Sequence, residues 1–234
     1  MLAGMILFAS GCDLNASAAS TNAAPDPAPV SHTRKIRALD ADNRTVLLNR
    51  PGTISVIVGT SEDSQDAARE AGKAVYPFQG RPDFQLVVVV DLRNSIATWL
   101  PSIVLNRMRS SLDQEAIELK PYFLKNGNKS NPRLTQHVVP DFSGTICPEL
   151  GWPKGSDKLR AIIFGVDGRE IERIDEVNDM TKFQADVNAA IQAQVDIEQA
   201  KFAEAAKTPG SKLLQPIYHH PPLYSYTPIQ NKTD

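Results

Sequence analysis

Cysteine is scarce in this chain: Cys12 and Cys147 are the two among 234 residues. Cys12 follows an apolar run, whereas Cys147 lies in the globular part, so a bridge between them would tie the body to its own leader. A disulfide-stapled scaffold is excluded, and each cysteine needs its own explanation. Charge of one sign is lacking too. Lys and Arg number 25 against 27 Asp and Glu, a net charge of −2. No basic surplus argues for nucleic acid, and no acidic excess argues for a solvating tail. A phosphate-cradling glycine loop and a Gly-x-Ser-x-Gly elbow are both missing. Metal ligands are sparse: His137 stands alone, and the adjacent His219 and His220 cannot both reach one zinc without further ligands. Asp40-Ala41-Asp42-Asn43 lacks the bidentate glutamate of a calcium loop. No cofactor and no metal are expected.

What is present begins with an address. Residues 1–9 (MLAGMILFA) are apolar, too few to cross a bilayer as a helix, which takes about 20. They match the h-region of a secretory signal, with Ser10 and Gly11 as its small residues. The run Ala9-Ser10-Gly11-Cys12 resembles the lipobox of bacterial lipoproteins, which implies that Cys12 is lipidated and becomes the new first residue. The alternative is an ordinary frayed apolar terminus. Residues 13–34 are Ala, Ser, Asn and Pro with almost no large apolar side chains, so they cannot offset the entropy of ordering. As a flexible tether they reach roughly 25 Å, which suits a domain held just above a membrane. Asp13 resembles the signal that retains some Gram-negative lipoproteins in the inner membrane. The expected division is a leader over 1–12, a tether over 13–34, one domain over 35–207 and a Pro/Tyr-rich disordered tail over 208–234. Roughly 170 residues suffice for one core without metal or disulfide.

The body alternates strand and helix, an α/β pattern. Residues 39–48 read as two short extended pieces around a polar turn. Residues 53–58 are a β-branched strand after Pro51-Gly52, and residues 63–75 a helix stopped by Pro77. Residues 84–90 are apolar on both faces, as in a central strand. Helices are predicted over 95–110 and again over 113–123, and a short strand over 134–139. Residues 159–166 turn at Asp167-Gly168 into 170–174, a hairpin. A last helix starts near Asn178 or Asp179, with Met180, Phe183, Val187 and Ile191 facing the sheet.

This order, with three local phrases, resembles the thioredoxin-like fold. Residues 39–48 resemble the hairpin that opens peroxiredoxins and periplasmic thioredoxins. Val139-Pro140-Asp141-Phe142-Ser143-Gly144 is similar to their "v-x-D-x-x-G" segment, and residues 162–171 to "x-x-F-v-I-D-x-d-G-x-I". The resemblance implies a mixed sheet flanked by helices in three layers. It also implies a redox site where the first core strand meets the next helix, whose N-terminus stabilises a thiolate. There the chain has Ser61-Glu62-Asp63-Ser64, so Ser61 and Ser64 take the two cysteine positions. Serine forms no disulfide, and Ser61 or Thr60 reads as a helix N-cap. The family's cis-proline has no counterpart in residues 154–161, and Pro153 lies upstream. Cys147 is either a small buried hydrophobe or a one-cysteine redox site at the first turn of a short helix. Two readings follow: a non-catalytic envelope lipoprotein that binds or assembles with another envelope protein, or a single-cysteine oxidoreductase or peroxidase using Cys147. The tail, with Tyr218, Tyr224 and Tyr226, could dock in a partner's groove or remain a solvated end.

Overall fold

The structure, a computed structural model, describes residues 34–93, 99–153 and 158–206. Cys12, Asp13, the leader, the tether up to residue 33 and the tail with His219 and His220 lie outside the described residues. So do residues 154–157.

A small antiparallel hairpin comes first, β1 (Arg37–Leu39) with β2 (Thr45–Leu47), as residues 39–48 led one to expect. Its turn is organised by Asp40, whose Oδ1 accepts the Asp42 and Arg44 N–H groups at 2.9 and 2.8 Å. The main sheet has five strands in the order β5-β4-β3-β6-β7. Strand β3 (Ile54–Ser61) is buried along all but its last residue. It runs parallel to β4 (Phe84–Asp91) and antiparallel to β6 (Arg160–Phe164). The middle strand is therefore β3, with β4 one place out. Helix α1 (Gln65–Ala74) joins the parallel pair and buries Ala68 and Ala71. Pro77 falls in the 3-10 turn that follows, Tyr76–Phe78. Strand β5 (His137–Asp141) lies parallel at one edge, and β7 (Glu170–Ile174) closes the other by an antiparallel hairpin. This is the mixed α/β sheet of the thioredoxin-like fold.

Alternating side chains feed two cores, as the period of a strand requires. Val56, Val58, Leu86 and Ile163 meet α1 and α4 (Met180–Ala206) on one face. On the other face Ile57, Val87, Val89 and Ile162 meet the small hairpin, Trp152 and Cys147. Each fully buried branched or aromatic side chain is worth about 1.5–3 kcal/mol of apolar burial. Phe183, Val187 and Ile191 are buried as expected, and Asp179 Oδ1 caps α4 by accepting the Thr181 and Lys182 N–H groups.

Three expectations are corrected. The two helices predicted over 95–110 and 113–123 are, within the described residues, one helix α2 (Pro101–Lys125). Leu112, Ala116, Leu119 and Phe123 form a single buried face that carries the helix through Ser110-Ser111, while Asp113 bonds Arg133 instead of starting a new helix. The strand expected from residue 134 begins at His137, because Leu134 belongs to the 3-10 turn Pro132–Leu134 and is exposed. Neither Thr60 nor Ser61 caps α1: Ser61 ends β3, and Ser64 immediately precedes the helix without a side-chain cap bond.

Candidate functional site

Open α/β sheets bind ligands beyond the carboxyl ends of their parallel strands. Here β3, β4 and β5 end in register, Ser61 beside Asp91 and Asp91 beside Asp141. Ser61 and Ser64 thus stand at the junction between the end of β3 and the start of α1. Their oxygens are spent on each other. Ser64 Oγ lies 2.9 Å from Thr60 Oγ1 and 3.3 Å from Ser61 Oγ, and it accepts the Ser61 N–H at 3.0 Å. Thr60 Oγ1 also reaches back to the Ser61 carbonyl at 3.1 Å, so the three hydroxyls form one local network.

Cys147 sits in α3 (Ile146–Glu149), a single turn packed at the same end of the sheet. The side chain is 3% exposed and belongs to the core cluster with Trp152 and Val139. Burial pushes its thiol well above the ordinary value, and the carboxylates of Asp141 and Asp91 push the same way against Arg93. Asp141 holds α3 in place. Its Oδ1 accepts the Thr145 N–H at 2.9 Å, and its Oδ2 accepts those of Ile146 and Cys147 at 3.1 and 2.9 Å. The anion that would stabilise this turn is therefore already present as a carboxylate, next to the sulfur.

Around it the packing is tight. A Cβ on Gly59 would lie 2.5 Å from Trp152 Cζ3, so glycine is what lets the indole lie on β3. Gly144 has φ +69, and a Cβ there would collide with the Arg93 side chain at Cδ. Arg93 in turn donates from Nε to Asp91 Oδ1 at 2.8 Å, both side chains being largely buried. Between Thr60, Asp91, Cys147, Pro153 and Arg160 lies a small, shallow cleft that opens to solvent. Among the described residues the Trp152 indole N–H in its wall has no hydrogen-bond partner.

A second polar cluster is structural. His137 Nδ1 donates to Asp40 Oδ2 at 2.9 Å, and Arg44 Nε donates to the same oxygen at 2.8 Å. Burial opposes the Asp40 carboxylate, but the bonds from His137 and Arg44 outweigh it and hold the group below the usual carboxylate range. Burial likewise lowers His137, against the pull of Asp40. Asp42 takes both arms of Arg133, at 2.7 and 3.0 Å. These bonds strap the first hairpin to β5 and to the 3-10 turn before it, which Arg133 also ties to Asp113 of α2, and they occupy the carboxylates that a cation would need. Among the described residues no three His, Cys, Asp or Glu side chains converge on a metal-sized site. No described helix is long and apolar enough to cross a membrane.

The structure brings Thr60, Ser61, Ser64 and Cys147 to one end of the sheet; His137 lies apart with Asp40. Sequence reasoning missed Asp91, Arg93 and Trp152, whose roles depend on partners in other elements. Asp141 was visible only as the aspartate of a family phrase.

No protein-family model matches the chain, and no curated protein sequence matches it. Several solved structures are similar to it at low sequence identity. The structure of MTB dsbF in mixed oxidized and reduced forms is 12% identical over 67% of this chain and 95% of that one, with a TM-score of 0.44. A secreted Mycobacterium tuberculosis disulfide oxidoreductase homologous to E. coli DsbE is 11% identical over 66% and 96%, with a TM-score of 0.42. The pneumococcal exposed lipoprotein thioredoxin of Streptococcus pneumoniae is 10% identical over 70% and 98%, with a TM-score of 0.39.

Proposed function

We propose that this chain is a thioredoxin-like lipoprotein of the bacterial envelope that works by binding or assembly, without dithiol chemistry. The observation that carries this reading is the junction of β3 and α1. Hydroxyls stand where sulfur would be needed, and they are hydrogen-bonded to one another. The remaining thiol of the body is buried and held protonated. The address rests on the lipobox-like Ala9-Ser10-Gly11-Cys12 and the polar tether behind it. Asp13 favours the inner membrane. Lipid chains on Cys12 would supply a stable anchor, as two or more acyl groups do.

A second reading is favoured by one feature: Cys147 borders the same cleft as Thr60 and Arg160. A single-cysteine oxidoreductase would attack its substrate there, once α3 opened. Disulfide-exchange and peroxide turnover by the full chain and its Cys147→Ser variant separates the two. The first reading expects no turnover from either protein; turnover that vanishes with Cys147→Ser establishes the second. Mass spectrometry of the mature amino terminus tests the address, which an unmodified Met1 in the native host would refute. Affinity capture from membranes is the direct route to the envelope partner.

A further inference from the structure

We infer that Glu115 of α2 and Gln136, just before β5, form a proton-operated clasp that holds α2 in place when Glu115 is neutral. Gln136 is 5% exposed, and among the described residues neither its Oε1 nor its Nε2 has a hydrogen-bond partner. Buried amides are nearly always paired, so two idle ends on one side chain point to a missing partner state. The backbone there is fixed, because the Gln136 carbonyl accepts from Arg44 Nη2 at 2.8 Å. The amide acts on the Glu115 carboxylate, which it steadies without closing a well-formed bond.

Glu115 stands in a poor place for a charge. A Cβ on Gly72 of α1 would lie 3.8 Å from Glu115 Oε1 and 4.0 Å from Leu86, so the carboxyl group rests against α1 beside the apolar core. Glu118, one turn along α2, brings a second carboxylate, to which Tyr76 donates at 3.3 Å. Burial first, and then Glu118, push the Glu115 carboxyl above its ordinary value; Gln136 and Arg69 of α1 pull it down and are outweighed. Tyr76 stays neutral, since burial and the two glutamates push its phenol up. Lys73 of α1 is engaged by Glu70 at 2.8 Å.

A carboxylate can only accept. It can take the Gln136 N–H, but it leaves the amide carbonyl facing negative charge. A neutral carboxyl offers one O–H donor and one carbonyl acceptor, which match the carbonyl and the N–H of the amide. One proton therefore converts two idle groups into a pair of hydrogen bonds joining α2 to the start of β5. Its loss leaves two carboxylates one turn apart beside an unpaired carbonyl, and the middle of α2 loosens. Because the folded group holds its proton more tightly than the unfolded one, this stability is present at acid pH and is lost as pH rises. Asp40 and His137 act in the opposite sense and cannot imitate it. The inference is independent of the redox reading above.

Hydrogen exchange of α2 peptides, compared between the full chain and its Glu115→Gln variant across pH 4–8, tests the clasp. Glutamine has the shape of the neutral acid and makes both bonds at any pH, and the ratio of the two proteins cancels the intrinsic pH dependence of exchange. The expected result is exchange about threefold or more faster in the parent at pH 7, the worth of one net hydrogen bond. The ratio should fall to one near about pH 4, where a free glutamate is itself protonated. A ratio constant with pH, or a variant that exchanges faster than the parent at pH 7, would overturn the proposal. Carboxyl-carbon NMR gives a second reading: the Glu115 inflection should lie above the ordinary glutamate range, and one at or below that range sinks the clasp. So would millimolar calcium that slows α2 exchange in the parent at pH 7 but not in Glu115→Gln, which assigns the carboxylates to a cation.

Discussion

Replacing Asp141 by alanine removes the carboxylate on which α3 is hung. Three backbone N–H groups lose their acceptor, those of Thr145, Ile146 and Cys147. The Cys147 bond is fully buried, so its N–H is left dry, at a cost of about 1–3 kcal/mol. The other two are partly buried and can regain water, losing about 0.5–1.5 kcal/mol each. Against this, a buried charge no longer has to be desolvated. The net expectation is a loss of about 3 kcal/mol for Asp141→Ala, and about half that for Asp141→Asn, which keeps one acceptor oxygen. Urea unfolding followed by circular dichroism measures it. A second readout is local. Opening of α3 should expose Cys147, so its labelling by a disulfide reagent should quicken by about tenfold or more while the sheet remains folded. An Asp141→Ala protein within about 0.5 kcal/mol of the parent, with unchanged labelling, would refute the reasoning.

Three further outcomes are expected. Gly59→Ala should cost about 1–3 kcal/mol in thermal or urea unfolding, with a change in Trp152 fluorescence, since the new methyl would collide with the indole ring. Ser61→Cys combined with Ser64→Cys should close a disulfide, detected by mass shift on reduction, because the two Oγ atoms already lie 3.3 Å apart. Stability should fall with pH in two windows. His137 is depressed when folded, so its contribution is complete above about 6.5 and declines as pH drops from there. Asp40 is depressed too, so its contribution holds above about 3.9 and is lost below. Denaturant midpoints across pH 3–8 for the parent and Asp40→Asn measure both, and Asp40→Asn should flatten the acid limb.

Much of the sheet was legible because its strands declare themselves locally. The β-branched run over residues 53–58 reads as a strand by propensity, and residues 84–90 are apolar on both faces, which only a doubly covered strand tolerates. The Asp179 cap and the Phe183, Val187, Ile191 stripe were equally local. The single α2 was not legible. Ser110-Ser111 followed by Asp113 reads as a stop and a new cap, and the residues that overrule it act through a face that forms only on packing. The start of β5 was misplaced for a related reason: Leu134 is apolar yet exposed, held in a turn by Asn131 capping Arg133. At the candidate site the two serines could be placed from the strand-to-helix order alone. Trp152 over Gly59 and Arg93 over Gly144 join residues far apart in the chain, and no pattern of nearby residues encodes such contacts.

The claim that thiol chemistry has left this scaffold is tested most directly by the pH dependence of Cys147 alkylation, followed by intact mass in the folded and urea-unfolded chain. The folded protein should react far more slowly than the unfolded one at every pH up to about 9, with no ionisation step near neutrality. Rapid labelling of the folded chain with a midpoint below pH 7 would contradict it.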